Sequence, residues 1–83
     1  MESKKAIVIF RILSRKFEAD LEIPLDISAN ELVFSLNAAY NLDIDVLDVK
    51  NCYLRAENPI TLLKGNKLLV DFGIHNGTIL YTA

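Results

Sequence analysis

The sequence contains few of the residues that carry covalent chemistry. Among its 83 residues there is one cysteine, one histidine and no tryptophan. The single cysteine, Cys52, cannot close an internal disulfide, which favours a reducing compartment. The single histidine, His75, falls in a turn pattern without a Ser or Cys partner, as expected of a solvated residue. We therefore expect a protein that is not an enzyme and has no catalytic residues.

The patterns that bind phosphates, nucleic acids or metals are also missing. The net charge of −2 argues against a partner with a phosphate backbone, so no nucleic acid is expected. The three glycines are scattered among turns and do not form a phosphate-binding loop. Asp43, Asp45 and Asp48 lack the glycine and the terminal glutamate of a calcium loop. We expect neither a cofactor nor a metal site.

Long hydrophobic runs are absent as well. A membrane-spanning helix needs about 20 apolar residues, whereas the apolar run at residues 6–10 is interrupted by Arg11. No small-residue cleavage site follows that run, so it does not resemble a secretion signal. We expect a cytoplasmic protein without direct membrane insertion. Its hydrophobic content of 52% suffices for one modest core, and residues 1–83 are expected to form a single domain.

One segment, from Ile27 to Asn41, has the pattern of a full α-helix. Ser28 is a suitable N-cap, and Glu31 stands at the third position of a capping box. Asn41 tolerates the left-handed conformation of a helix C-cap. Apolar residues at helical spacing form a single stripe: Leu32, Val33, Leu36, Ala39 and Tyr40. A helix with one apolar stripe needs a sheet to pack against.

Two strands are predicted before this helix. Residues 6–13 are almost continuously apolar, and residues 17–25 alternate between apolar and mostly acidic side chains. Pro24 lacks a backbone donor, which places the second strand at a sheet edge.

The alternation also predicts how these two strands pair. If residues 15–16 form the loop, Ile12 faces Ala19, and Arg11 faces Asp20 in a favourable cross-strand pair. A slip of one residue would bury the carboxylates, so the two faces of the hairpin are well determined.

The second half of the chain predicts short strands at residues 52–56, 60–63 and 78–82, with a helical turn at residues 68–72. The linker before them contains apolar candidates for covering the core: Ile44, Val46, Leu47 and Val49. The right-handed crossover rule places the last strand between the first and the third, parallel to the first. The predicted fold is α+β, a mixed sheet of four to five strands with one main helix on one face. This is the β-grasp, or ubiquitin-like, arrangement.

Several segments resemble a known family. Residues 62–80 resemble the end of ubiquitin-like proteins, in which a Leu-x-x-[Tyr/Phe]-x-Ile segment, here residues 69–74, precedes the last strand. Residues 20–27, 36–42 and 53–59 are similar to the YukD/EsaB family of small cytoplasmic ubiquitin-like proteins from Gram-positive type VII secretion systems. The likeness extends over nearly the whole chain.

The resemblance implies a non-enzymatic accessory or regulatory protein that acts by protein–protein binding, as a monomer or a weak homodimer. It implies a partner such as the secretion ATPase or the cytoplasmic part of a membrane component. The alternatives are a β-grasp carrier or modifier protein and a generic protein-interaction module. The carrier alternative is disfavoured because the sequence ends in Tyr81-Thr82-Ala83 and not in the Gly-Gly of ubiquitin and the sulfur carriers.

The sheet face away from the helix is the candidate binding surface. Ile7 and Ile9 are apolar on a face that is otherwise charged, and Leu80 joins them if its two neighbours point to the core. Tyr53 and Arg55 flank them on the third strand. Contiguous apolar surface often marks a binding site, so we predict that these five residues contact a partner. The alternative is that the aliphatic residues are ordinary strand residues without a binding role.

Overall fold

The computed structural model describes residues 4–48 and 50–83. Within them the chain forms five strands, one α-helix and two short 3₁₀ turns. In chain order these are β1 (Lys5–Ile12), a 3₁₀ turn (Leu13–Arg15), β2 (Phe17–Pro24), α1 (Ala29–Tyr40), β3 (Leu54–Glu57), β4 (Thr61–Leu63), a 3₁₀ turn (Leu69–Phe72) and β5 (Ile79–Thr82).

The five strands form one mixed sheet in the order β2-β1-β5-β3-β4. β5 runs parallel to β1, and the other neighbouring strands are antiparallel. β2 lies at an edge with Pro24 as its last residue, as its missing backbone donor predicts. The buried side chains of α1 and of one sheet face belong to a single hydrophobic core. The α+β, β-grasp prediction is confirmed, including the place of the last strand.

The pairing of β1 with β2 differs from the predicted pairing by two residues. Ile12 lies opposite Phe17, and Arg11 lies opposite Glu18 instead of Asp20. The reason is that the loop is longer than the predicted loop at residues 15–16. Residues 13–15 form a 3₁₀ turn, and Lys16 closes it in a left-handed conformation with φ of 51°. A shift of two residues keeps every side chain on its predicted face, so the core is unaffected.

The helix α1 begins and ends as its sequence predicts. The Ser28 hydroxyl accepts a hydrogen bond from the Glu31 amide at 3.1 Å, and Asn41 is left-handed with φ of 53°. Its buried residues are Ala29, Leu32, Val33 and Leu36. The prediction that Ala39 is also buried is wrong, because at this end of the helix the large Tyr40 ring fills the contact with the sheet, 5.1 Å from the Phe10 ring.

The linker between α1 and β3 covers one end of the core. Ile44 and Val46 pack against the core, and the Asn37 side chain holds Ile44 by donating to its carbonyl and accepting from its amide. The prediction that Leu47 covers the core is wrong, since Leu47 is 88% exposed. Val49, the other predicted covering residue, lies outside the described residues.

A buried hydroxyl fixes the turn that leads into β5. Thr78 is fully buried, and its Oγ1 donates to the Asn58 carbonyl at 2.9 Å and accepts from the His75 amide at 3.1 Å. In the same turn, the Asn76 Oδ1 atom accepts from the Ile7 amide at 2.8 Å. The turn thereby joins the start of β1 to the start of β5.

Replacing Thr78 with valine should lower the free energy of unfolding by about 1–3 kcal/mol. Valine keeps the shape of the side chain but leaves the His75 amide and the Asn58 carbonyl without their buried partner. Urea denaturation followed by circular dichroism measures the change. Thr78→Ser is the matched control, since it keeps the hydroxyl and should lose less. Equal stabilities for Thr78→Val and the parent chain would contradict this role for the hydroxyl.

Candidate functional site

The outer face, which we define as the side chains of the sheet that point away from α1, is ordered in rows across the strands. The strand pairing aligns one row as Glu18, Arg11, Tyr81, Arg55 and Leu62. It aligns the next row as Asp20, Ile9, Ile79 and Glu57. Ile7 and Glu22 follow on β1 and β2. Neighbours in a row are about 4.8 Å apart, close enough for direct side-chain contact.

The centre of the outer face is apolar and accessible to solvent. Ile7 is 52% exposed, and Ile9 and Ile79 lie side by side on the adjacent strands β1 and β5, each half-buried. Tyr81 continues the apolar surface along β5. We call these four residues the central patch. A contiguous apolar patch on the sheet face opposite the core is the surface feature expected of a protein-binding site.

The structure removes one predicted residue from this surface. Leu80 is fully buried and pairs with Phe10 and Ala56, which are both core residues. The prediction that Leu80 lies on the outer face is therefore wrong, and its neighbours Ile79 and Tyr81 occupy that face instead. The sequence carries no signal that could have shown this, because three apolar residues in succession have no alternation. The pairing of β5 with β1 decides which side chains of β5 point to the core.

Arg55 lies on the outward side of β3, as predicted, next to Tyr81. Tyr53 directly precedes β3, which begins at Leu54 and not at Cys52 as the sequence predicts. Hydrogen bonding to Tyr53 raises the pKa of the Arg55 guanidinium, and Tyr81 adds to this effect. The three side chains border a cleft of about 470 Å³. The remaining lining comes from the β1–β2 turn, the α1–β3 linker and the last residues of the chain: Leu13, Leu42, Asp43, Ile44, Asp45, Asn51, Thr82 and Ala83. The cleft extends the outer face beyond the ends of β1 and β5.

The other residues that could carry chemistry lie in surroundings typical of residues that only support the fold. Cys52 is buried, and burial is the largest cause that raises the pKa of its thiol, followed by the charges of Asp45 and Asp48. Such a thiol is a poor nucleophile. The two aspartates accept hydrogen bonds from nearby backbone amides. The His75 ring nitrogen lies 2.8 Å from the Asn76 carbonyl.

In residues 4–48 and 50–83, no three potential metal ligands lie close enough together to hold an ion. Across the same residues, no helix has the length and apolar character needed to cross a bilayer.

The fold matches solved structures of ubiquitin-like domains. The C-terminal ubiquitin-like domain of mouse tubulin-specific chaperone e superposes with a TM-score of 0.72 and 10% identity, covering 98% of this chain and 87% of that one. The ubiquitin-like (UBL) domain of Plasmodium falciparum Dsk2 superposes with a TM-score of 0.61 and 22% identity, covering 96% of this chain and 100% of that one. These similarities establish a ubiquitin-like β-grasp fold.

The sequence defines the family within this class. Residues 7–81 match the family described as "YukD: WXG100 protein secretion system (Wss), protein YukD". The chain belongs to the YukD family of ubiquitin-like proteins of this type VII secretion system, as its resemblance indicated. No curated protein sequence matches it significantly.

Proposed function

We propose that this protein is a cytoplasmic accessory or regulatory component of a Gram-positive type VII secretion system, and that it acts without catalysis by docking a protein partner on its outer face. The match of residues 7–81 to a secretion-system family supports the cellular role. The observation that carries the mechanism is the central patch, an apolar surface on the sheet face that the core does not use.

Residue types around the central patch support this proposal. Tyr81 belongs to it, and Tyr53 and Arg55 lie beside Tyr81. Tyrosine and arginine are enriched among the residues that dominate protein–protein binding energies. Four of the five residues predicted from the sequence stay in our proposed contact set: Ile7, Ile9, Tyr53 and Arg55. Ile79 and Tyr81 take the place of Leu80. The proposed partner is the secretion ATPase or the cytoplasmic part of a membrane component, bound by a monomer or a weak homodimer.

We propose binding instead of covalent attachment to a target. β5 is an interior strand, held between β1 and β3, and Thr82 pairs with Ile12. The Ser14 hydroxyl donates to the Ala83 carbonyl at 3.2 Å. Residues 79–82 are therefore held between β1 and β3.

Replacing Ile9 with lysine should abolish co-purification of the partner while leaving the fold intact. The substitution places a charge in the centre of the patch, and the new lysine lies opposite Asp20, a favourable cross-strand pair. Affinity purification from the native cell, with quantitative mass spectrometry of the secretion ATPase and the membrane components, measures the effect. Circular dichroism verifies the fold.

Phe34→Lys is the matched control for this experiment. Phe34 is 60% exposed on α1, on the other side of the molecule, so the same apolar-to-charged change should leave partner recovery unchanged. Full partner recovery by the folded Ile9→Lys protein would refute the outer face as the docking surface.

A further inference from the structure

The middle row of the outer face has a carboxylate at each end. Across β2, β1, β5 and β3 it consists of Asp20, Ile9, Ile79 and Glu57. Both acids are exposed, and the two isoleucines between them are half-buried. Three strand spacings separate the acids, so their backbone positions are roughly 14 Å apart.

These two carboxylates differ from the other acids on this face. Within residues 4–48 and 50–83, neither Asp20 nor Glu57 forms a salt bridge. By contrast, Glu18 lies 2.6 Å from the Arg11 guanidinium and Glu22 lies 3.6 Å from the Lys5 ammonium. Along the strands, the central patch is bordered by these two ion pairs, which carry no net charge. Across the strands, it is bordered by the unpaired carboxylates of Asp20 and Glu57.

The nearest other cation on this face does not neutralise the row. Arg55 shares β3 with Glu57, but within residues 4–48 and 50–83 the two side chains form no salt bridge. The uncompensated charges at both ends of an apolar pair favour a partner that presents cationic groups at a similar separation.

A helix lying across the strands meets this requirement. With a rise of about 1.5 Å per residue, positions i and i+10 are about 15 Å apart. Positions i, i+3, i+7 and i+10 share one helix face. We propose that the outer face binds a helical segment of its protein partner with Lys or Arg at i and i+10 and apolar residues at i+3 and i+7. This inference rests on the proposed function, because it assumes that the outer face is the docking surface.

The first test uses two short stapled helical peptides. One carries Lys at i and i+10 and Leu at i+3 and i+7, and the other has Glu in place of both lysines. Each is titrated at low salt into the isotope-labelled protein and followed by NMR. The Lys peptide should shift the amides of Ile9 and Ile79 and bind roughly tenfold or more tightly than the Glu peptide. Its affinity should fall as salt is raised, since the screening length is about 10 Å at 0.1 M.

The second test reverses the two charges in the protein. Asp20→Lys combined with Glu57→Lys should weaken the Lys peptide by roughly tenfold or more and strengthen the Glu peptide. Asp26→Lys combined with Asp71→Lys is the matched control, because it makes the same change in net charge at two exposed positions off the sheet. The control should alter the affinity much less.

The outcomes separate this inference from the function it rests on. Equal binding of the two peptides, or equal weakening by both double variants, overturns the charge-flanked helix as the occupant. Loss of the native partner in Ile9→Lys would still uphold the docking surface in that case. Retention of the native partner by Ile9→Lys overturns the docking surface itself.

Discussion

Replacement of Leu80 with aspartate is expected to unfold the protein. Leu80 is fully buried on an interior strand, between Phe10 and Ala56 on the neighbouring strands. An unpaired carboxylate at such a site costs several kcal/mol in addition to the lost apolar contacts. A domain of this length has a total stability of about 4–12 kcal/mol, so most of it would be lost.

Far-UV circular dichroism and urea denaturation of Leu80→Asp measure this effect. Leu62→Asp is the matched control, because Leu62 is 46% exposed on the outward side of the edge strand β4. We expect the control to change the free energy of unfolding by less than about 1 kcal/mol. A cooperative, native-like transition in Leu80→Asp would show that Leu80 is not in the core. The comparison also shows why Leu80 is unsuitable for testing partner binding.

Replacement of Phe10 with alanine should lower the free energy of unfolding by about 3–5 kcal/mol. Phe10 is fully buried on β1, and its ring lies 5.1 Å from the Tyr40 ring, which in turn lies 5.4 Å from the Phe17 ring. The alanine variant loses the apolar surface of the ring and its aromatic contact, and leaves a cavity between α1 and the sheet. Urea denaturation measures the loss, and near-UV circular dichroism reports on the tyrosine environment.

Phe10→Leu is the control for this variant, since it keeps most of the buried volume and should cost about 1–2 kcal/mol. The difference between the two variants then measures the cost of the cavity. If Phe10→Ala loses no more stability than Phe10→Leu, the contact between α1 and β1 contributes little to the fold.

Under the proposed function, the two faces of the sheet have separate roles. The inner face and α1 supply the core, so the outer face can vary in charge and shape without loss of the fold. On β1, Ile7 and Ile9 lie on the outer face, whereas Val8 and Phe10 are fully buried on the inner face. Substitutions on the two faces should therefore separate binding from stability.

Features that depend on nearby residues followed from the sequence. The ends of α1 were predictable because the caps at Ser28 and Asn41 satisfy backbone groups within one turn of the helix. The faces of β1 and β2 were predictable because alternation decides which side chains point inward, whatever the length of the loop. The strand order followed from the crossover rule once the elements were placed.

By itself, the sequence therefore determined the β-grasp architecture and the presence of Ile7, Ile9 and Arg55 on an outward face. The tertiary structure decided which residues of β5 point to the core. Residues 79–81 are all apolar, so either orientation of the strand would bury hydrophobic surface. The tertiary structure also decided the cross-strand rows, because register between distant strands depends on turn geometry and packing, which no local pattern encodes. Only that register brings the residues of the central patch and the two flanking carboxylates next to one another.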